Sequence, residues 1–165
     1  DDMSLISEPI DWLGINYYTR GIVADDPGEP WPSLKDIEGS MDKTQMGWEI
    51  YPEGLKNLLI RVSKNYTDNL PILVTENGMA CADIMENQTV YDPSRIDYIS
   101  SHLTAASAAI EEGVNLQGFF YWSLLDNFEW AFGYEKRFGL VHVDFETQKR
   151  TPKASFKELA LSLNS

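Results

Sequence analysis

Three short apolar runs, separated by helix-patterned segments, limit the possible folds of this chain more than any other feature. They are residues 10–18 (Ile-Asp-Trp-Leu-Gly-Ile-Asn-Tyr-Tyr), 70–75 (Leu-Pro-Ile-Leu-Val-Thr) and 116–125 (Leu-Gln-Gly-Phe-Phe-Tyr-Trp-Ser-Leu-Leu). Runs of this kind predict strands buried on both faces, the habit of parallel sheets. Between the first two, Leu55, Leu58, Leu59, Val62 and Tyr66 fall on one helical stripe, and between the second and third Ile96, Ile99, Leu103 and Ile110 do the same. Asp92-Pro93 predicts the cap and first turn of that second helix, and Gly113 its end. A last helix is predicted from Thr151-Pro152, burying Phe156, Leu159 and Leu163. The order is three consecutive βα units, which implies parallel strands. A doubly wound sheet and a (β/α)8 barrel both fit that order, but three strands alone cannot close a barrel.

Residues 25–43 contain Pro27, Gly28, Pro30, Pro32 and Gly39 and follow a strand. So long and irregular a connection is a place for function. Its acids, from Asp25 to Glu38, read as a solvated face. Charge narrows the partners: 13 Lys and Arg against 26 acids leave a net charge of -13, which disfavours nucleic acid and anionic membrane surfaces. A single cysteine, Cys81, excludes an internal disulfide and a Cys-based zinc site, and reads as an incidental thiol. No apolar run is long enough to span a bilayer, and Asp1-Asp2-Met3-Ser4 lacks the basic-then-apolar order of a signal peptide. His102, on the polar side of its helix, is expected to be solvated. His142 is expected in a hairpin formed by residues 138–145, and neither histidine has a metal-ligand partner at useful spacing.

Three groups carry possible chemistry, each at the end of a predicted strand. Thr75-Glu76-Asn77-Gly78 places a carboxylate where parallel α/β folds bind their ligands, with a glycine to let the chain turn away. Taken alone, Glu76 is either a catalytic carboxylate or a solvated strand-end acid. Trp122 to Trp130 combines aromatic faces with Asp126, Asn127 and Glu129. A sugar site needs that mixture, since rings pack on C–H faces and carboxylates take hydroxyl hydrogen bonds, but an aromatic core cluster has the same composition. Asn16-Tyr17-Tyr18 offers an amide and a phenol for a substrate hydroxyl and a neighbouring carboxylate, or simply caps a strand.

Together these blocks resemble one family. Ile10 through Arg20, Met46-Gly47-Trp48-Glu49-Ile50, Val74-Thr75-Glu76-Asn77-Gly78, Phe120 through Trp130, Lys136 through Leu140 and Val143-Asp144 are similar, in order, to the last three βα units of a family-1 glycoside hydrolase, a β-glucosidase. The resemblance implies an α/β fold consisting of strands 6–8 of a (β/α)8 TIM barrel, so that residues 1–165 are the C-terminal part of a single catalytic domain. It implies retaining hydrolysis of β-glucosides or oligosaccharides with no cofactor and no metal. Glu76 matches the nucleophile, and Tyr18 and Asn16 match residues that orient it. Trp122, Glu129, Trp130 and Phe138 match the subsite for the non-reducing sugar, with Glu129 gripping its outer hydroxyls. Trp48 matches the aglycone side. The Glu129-Trp130 pair resembles the branch acting on unphosphorylated sugars, since a carboxylate there repels a phosphate.

The family's acid/base glutamate lies in a Thr-x-Asn-Glu-Pro block, and this sequence has none; its Glu-Pro pairs are Glu8-Pro9 and Glu29-Pro30. The chain alone is therefore expected to be inactive. It is also expected to expose two strand edges and an apolar face, and so to pair with the N-terminal barrel portion or with itself. The competing expectation is a non-catalytic, sugar-binding or self-associating half-barrel.

Overall fold

The computed structural model describes residues 1–163. A short helix α1 (Asp2–Ile6) leads into strand β1 (Leu13–Asn16), a hairpin of β2 (Val23–Asp25) and β3 (Leu34–Asp36), and helix α2 (Pro52–Asn65). Next come β4 (Ile72–Asn77), the small β5 (Met85–Glu86) and β6 (Thr89–Val90) hairpin, α3 (Pro93–Glu111) and β7 (Leu116–Tyr121). A hairpin of β8 (Val141–Val143) and β9 (Arg150–Pro152) then precedes α4 (Ala154–Ser162). β1, β4 and β7 form a three-stranded sheet in that order, parallel throughout, so the βα reading holds.

The main core lies between this sheet and α2 and α3: Ile15, Ile72, Val74, Leu55, Leu59 and Ala109 are all buried there. The opposite face is not covered. Gly14 and Asn16 are exposed on β1, and Phe120 on β7 is 57% exposed. The strands are therefore buried on one face rather than on both. The segment 25–43 differs from expectation in that its first part belongs to the β2–β3 hairpin, whereas its acids are largely exposed, as expected of a solvated face.

Helix α2 keeps its predicted stripe through Val62, but it ends at Asn65, and Tyr66, the capping residue, is 69% exposed. Helix α3 starts and stops where Asp92-Pro93 and Gly113 predict, with Gly113 at φ +93°. Its buried face is different: Arg95, Tyr98, Ile99, His102, Ala105 and Ala109 point inward, whereas Ile110 is 50% exposed. Small alanines and polar side chains thus take most of the inward face that the isoleucine stripe was expected to fill. In α4, Phe156 and Leu159 are half-buried and Leu163 is 77% exposed, so the predicted apolar face is only partly used. Thr151 and Pro152 lie in β9, paired with His142 and Val141, and the helix begins two residues later. His142 is accordingly in a hairpin, but one whose second strand starts at Arg150.

His102 is buried rather than solvated. Its Nδ1 donates to the Tyr98 carbonyl at 2.8 Å, and its ring stacks on Tyr98 with centroids 3.9 Å apart. Burial pushes its pKa down to about 4. An unfolded histidine titrates near 6.5, so between these values the unfolded chain binds a proton that the folded chain refuses. Stability contributed by the neutral ring is full above about pH 6.5 and falls as pH drops to about 4, a loss of about 3 kcal/mol. Urea denaturation should show the wild type losing this increment between pH 7 and 4 and His102→Phe losing markedly less. Equal slopes for the two proteins would refute the assignment.

Candidate active site

Every predicted site residue except Trp48 and Phe138 comes from a strand of the parallel sheet or the segment after it. Parallel pairing sets the register, with the Tyr17 amide donating to the Glu76 carbonyl at 2.9 Å. Neighbouring Tyr18 Oη then donates to Glu76 Oε2 at 2.8 Å. Partial burial and the Glu76 carboxylate push the Tyr18 pKa well above the usual phenol range, so Tyr18 stays a donor at any working pH. Asn16 behaves differently from expectation. Its Oδ1 accepts from Thr75 Oγ1 at 2.7 Å, so it reaches the residue beside Glu76 rather than the Glu76 carboxylate. That use of Oδ1 leaves the Nδ2 hydrogens to serve the open face of the sheet.

Behind Glu76, fully buried Asn77 fixes the strand end by donating from Nδ2 to the Tyr17 carbonyl at 2.7 Å and to Tyr98 Oη at 3.0 Å. Gly78 is required for closeness rather than for turning: a Cβ there would press into the Trp122 carbonyl oxygen. Glycine thus lets the end of β4 and the segment after β7 touch, which joins the Glu76 and Trp122 blocks.

The aromatic residues divide into two roles. Tyr18, Trp48 and Phe138 form a cluster, with ring centroids 5.4 Å apart for Tyr18 and Trp48, 6.1 Å for Tyr18 and Phe138, and 6.2 Å for Trp48 and Phe138. Phe138 is only 2% exposed, so it supports the other two rings from behind instead of forming an open wall. Trp122 is half-buried, and Trp130 is 83% exposed. Trp130 also holds φ +41°, a left-handed conformation that a bulky residue seldom adopts. Immediately before it, Glu129 is partly buried. Its pKa is raised first by burial and then by the Glu76 charge, which places the two carboxylates within electrostatic reach.

The Trp48 loop is held by Glu49, whose carboxylate accepts from Arg20 Nε at 2.6 Å and the Met41 amide at 2.9 Å. A larger buried network escaped sequence reasoning. Arg95, fully buried, donates to both oxygens of Asp83 at 2.9 and 2.8 Å and also pairs with Asp92. Asp92 does not cap its own helix. Its Oδ1 accepts the Ser155 amide at 2.9 Å and its Oδ2 the Ser155 hydroxyl at 2.6 Å, so it caps the first turn of α4. The only sequence clue was a set of acids and bases at loop positions flanking the helices. Cys81 is buried, with Sγ 3.7 Å from Ser94 Oγ. Among the described residues no group of three or more His, Cys, Asp and Glu is arranged to hold a metal ion, and no helix is long and apolar enough to cross a membrane.

The ends of the parallel strands thus gather a phenol-bound carboxylate, a second acid and several aromatic rings in one place. The family model described as "Glycosyl hydrolase family 1" matches residues 1–161, and the chain belongs to that family. It is 51% identical over 157 residues to β-glucosidase A of Thermotoga maritima, covering 94% of this chain and 34% of that protein. It is 45% identical to a 6-phospho-β-galactosidase of Leptotrichia buccalis, covering 88% of this chain and 35% of the relative. Among solved structures, the family-1 β-glucosidase of Thermotoga maritima superposes with a TM-score of 0.94 at 46% identity, over 99% of this chain and 36% of its own. The chain thus spans about a third of the length of these relatives.

Proposed function

We propose that this chain supplies the nucleophile-bearing part of a retaining β-glucosidase, as strands 6–8 of a (β/α)8 barrel and the C-terminal part of one catalytic domain. The observation that carries the reading is the 2.8 Å hydrogen bond from Tyr18 Oη to Glu76 Oε2 at the end of a parallel strand. It fixes one carboxylate oxygen and leaves the other to attack.

In the first step a Glu76 oxygen bonds to the anomeric carbon as the bond from that carbon to the aglycone oxygen breaks. The leaving oxygen takes its proton from a second carboxyl group about 5 to 5.5 Å from Glu76. The Thr-x-Asn-Glu-Pro block that carries this acid in the family is not in the present sequence, so the rest of the barrel must provide it. Water then attacks the same carbon, giving up a proton to that second group and releasing Glu76. Glu129 receives the outer hydroxyls of the sugar, Trp122 and Trp130 offer ring faces, and Trp48 borders the aglycone. The related proteins include enzymes named for phosphorylated and for unphosphorylated sugars. The carboxylate of Glu129 favours the unphosphorylated class, because a sugar phosphate would bring a second anion against it.

The test uses a hybrid barrel in which this chain replaces the matching third of the Thermotoga maritima β-glucosidase. A 2-deoxy-2-fluoro-β-glucoside with a good leaving group should inactivate the hybrid, and peptide mapping should find the sugar on Glu76. Labelling elsewhere would refute the reading, whereas glucose binding with no turnover in the hybrid would favour a sugar-binding module.

A further inference from the structure

The loop carrying Glu129 leaves the sheet after Trp122 and returns at Phe138, and its returning side is tied to one carboxylate on its outgoing side. Asp126 Oδ1 accepts from the Gly139 amide at 3.0 Å, and Oδ2 accepts from Arg137 NH1 at 2.6 Å and the Val143 amide at 3.3 Å. Gly139 has no room for a side chain, since a Cβ would strike Asp126 and Leu125. The segment that follows Glu76 is tied through the paired hydrogen bonds between Asp83 and Arg95.

Two side chains join these assemblies, and the first is Arg95, whose NH2 donates to the Arg137 carbonyl at 2.9 Å. The second, Lys153, is fully buried at the start of α4 and donates from Nζ to Asp126 Oδ1 at 2.8 Å and to Asp83 Oδ2. Its own amide donates to the Leu140 carbonyl at 3.0 Å, which anchors its backbone beside the returning foot of the loop. Neither acid relies on Lys153 for a cationic partner: Asp83 keeps Arg95, and Asp126 keeps Arg137. What Lys153 adds is the direct bridge between the two carboxylates. A lysine ammonium with three donors suits such a bridge between two carboxylates that approach from different loops.

We propose that Lys153 is a positioning residue for sugar recognition: its bridge between Asp83 and Asp126 holds the Glu129 loop in register with Glu76. This rests on the reading of Glu76 and Glu129 given above. If Lys153 acts through Glu129, its loss harms only substrates whose outer hydroxyls Glu129 receives. A side chain that merely supported the fold would affect all substrates alike.

The experiment is steady-state kinetics of the hybrid barrel carrying Lys153→Met, on an aryl β-glucoside and on its 4,6-dideoxy analogue, which lacks the outer hydroxyls. The expected result is a KM about 10-fold higher for the glucoside and changed less than about 2-fold for the analogue, with kcat within about 3-fold in both cases. In a Glu129→Gln background, Lys153→Met should add no further change in KM, because the two substitutions act on one contact. Lys153→Gln, which keeps a hydrogen-bond donor in the buried position, guards against loss of folding and should give the same pattern in milder form. Equal KM increases on both substrates, additivity with Glu129→Gln, or failure of both variants to fold would overturn the proposal. Failure of the parent hybrid to label at Glu76 would instead overturn the reading of the site, so the two failures are distinguishable.

Discussion

Replacing Glu76 by Gln in the hybrid barrel should lower kcat/KM for an aryl β-glucoside by about 10⁵-fold, equivalent to about 7 kcal/mol of transition-state stabilisation. The amide has nearly the shape of the carboxylate and can still accept from Tyr18, so the shape of the site is retained while the charge of Glu76 is lost. Circular dichroism and the thermal midpoint should remain close to those of the parent. Glu76→Ala extends the test, because the space left by the side chain admits a small anion. Azide should restore turnover by bonding to the anomeric carbon on the face that Glu76 uses, and the product should be the α-glucosyl azide. A loss of less than about 10-fold in the Gln variant, or a β-azide from the Ala variant, would remove Glu76 from the chemistry.

The second large effect concerns folding. Arg95 is buried against Asp83 and Asp92 and also donates to the Arg137 carbonyl at 2.9 Å. Arg95→Met leaves Asp92 without its guanidinium and Asp83 with Lys153 alone, all inside the protein. Breaking a buried pair from one side costs about 3–5 kcal/mol, mainly because the remaining charge has lost its compensation. Urea denaturation at neutral pH should report a loss of that size. Adding Asp83→Asn and Asp92→Asn to Arg95→Met should recover part of it, since the stranded charges go with their partner. A loss below about 1 kcal/mol for the single variant would mean that water reaches these acids and that the network does not tie the loops together.

How much of this was legible in the sequence depended on whether the signal was local. The βα order was readable because apolar runs and helical stripes are written in consecutive residues, and the limits of α3 were readable because Asp92-Pro93 and Gly113 mark them. Glu76 and Tyr18 were each placed at a strand end, but only parallel register brings residues 58 positions apart into hydrogen-bonding distance. Asn16 shows the limit of that reasoning, since its side chain turned to Thr75. The inward face of α3 was missed because alanine size and the Arg95 ion pairs decided it, and neither contributes to an apolar stripe. Asp92 was readable as a helix cap, but not as the cap of a helix that begins 62 residues later.

The two outer strands of the sheet, β1 and β7, each pair with β4 on one side only, and this has a numerical consequence. Copies of this chain that joined margin to margin, in the same direction, would enlarge the sheet by three strands at a time. Such growth passes from six to nine, and no whole number of copies makes a cylinder of eight staves. Self-assembly and completion of the barrel are therefore exclusive outcomes, and native mass spectrometry of the free chain should distinguish a ladder of identical subunits from a complex with an unlike second polypeptide.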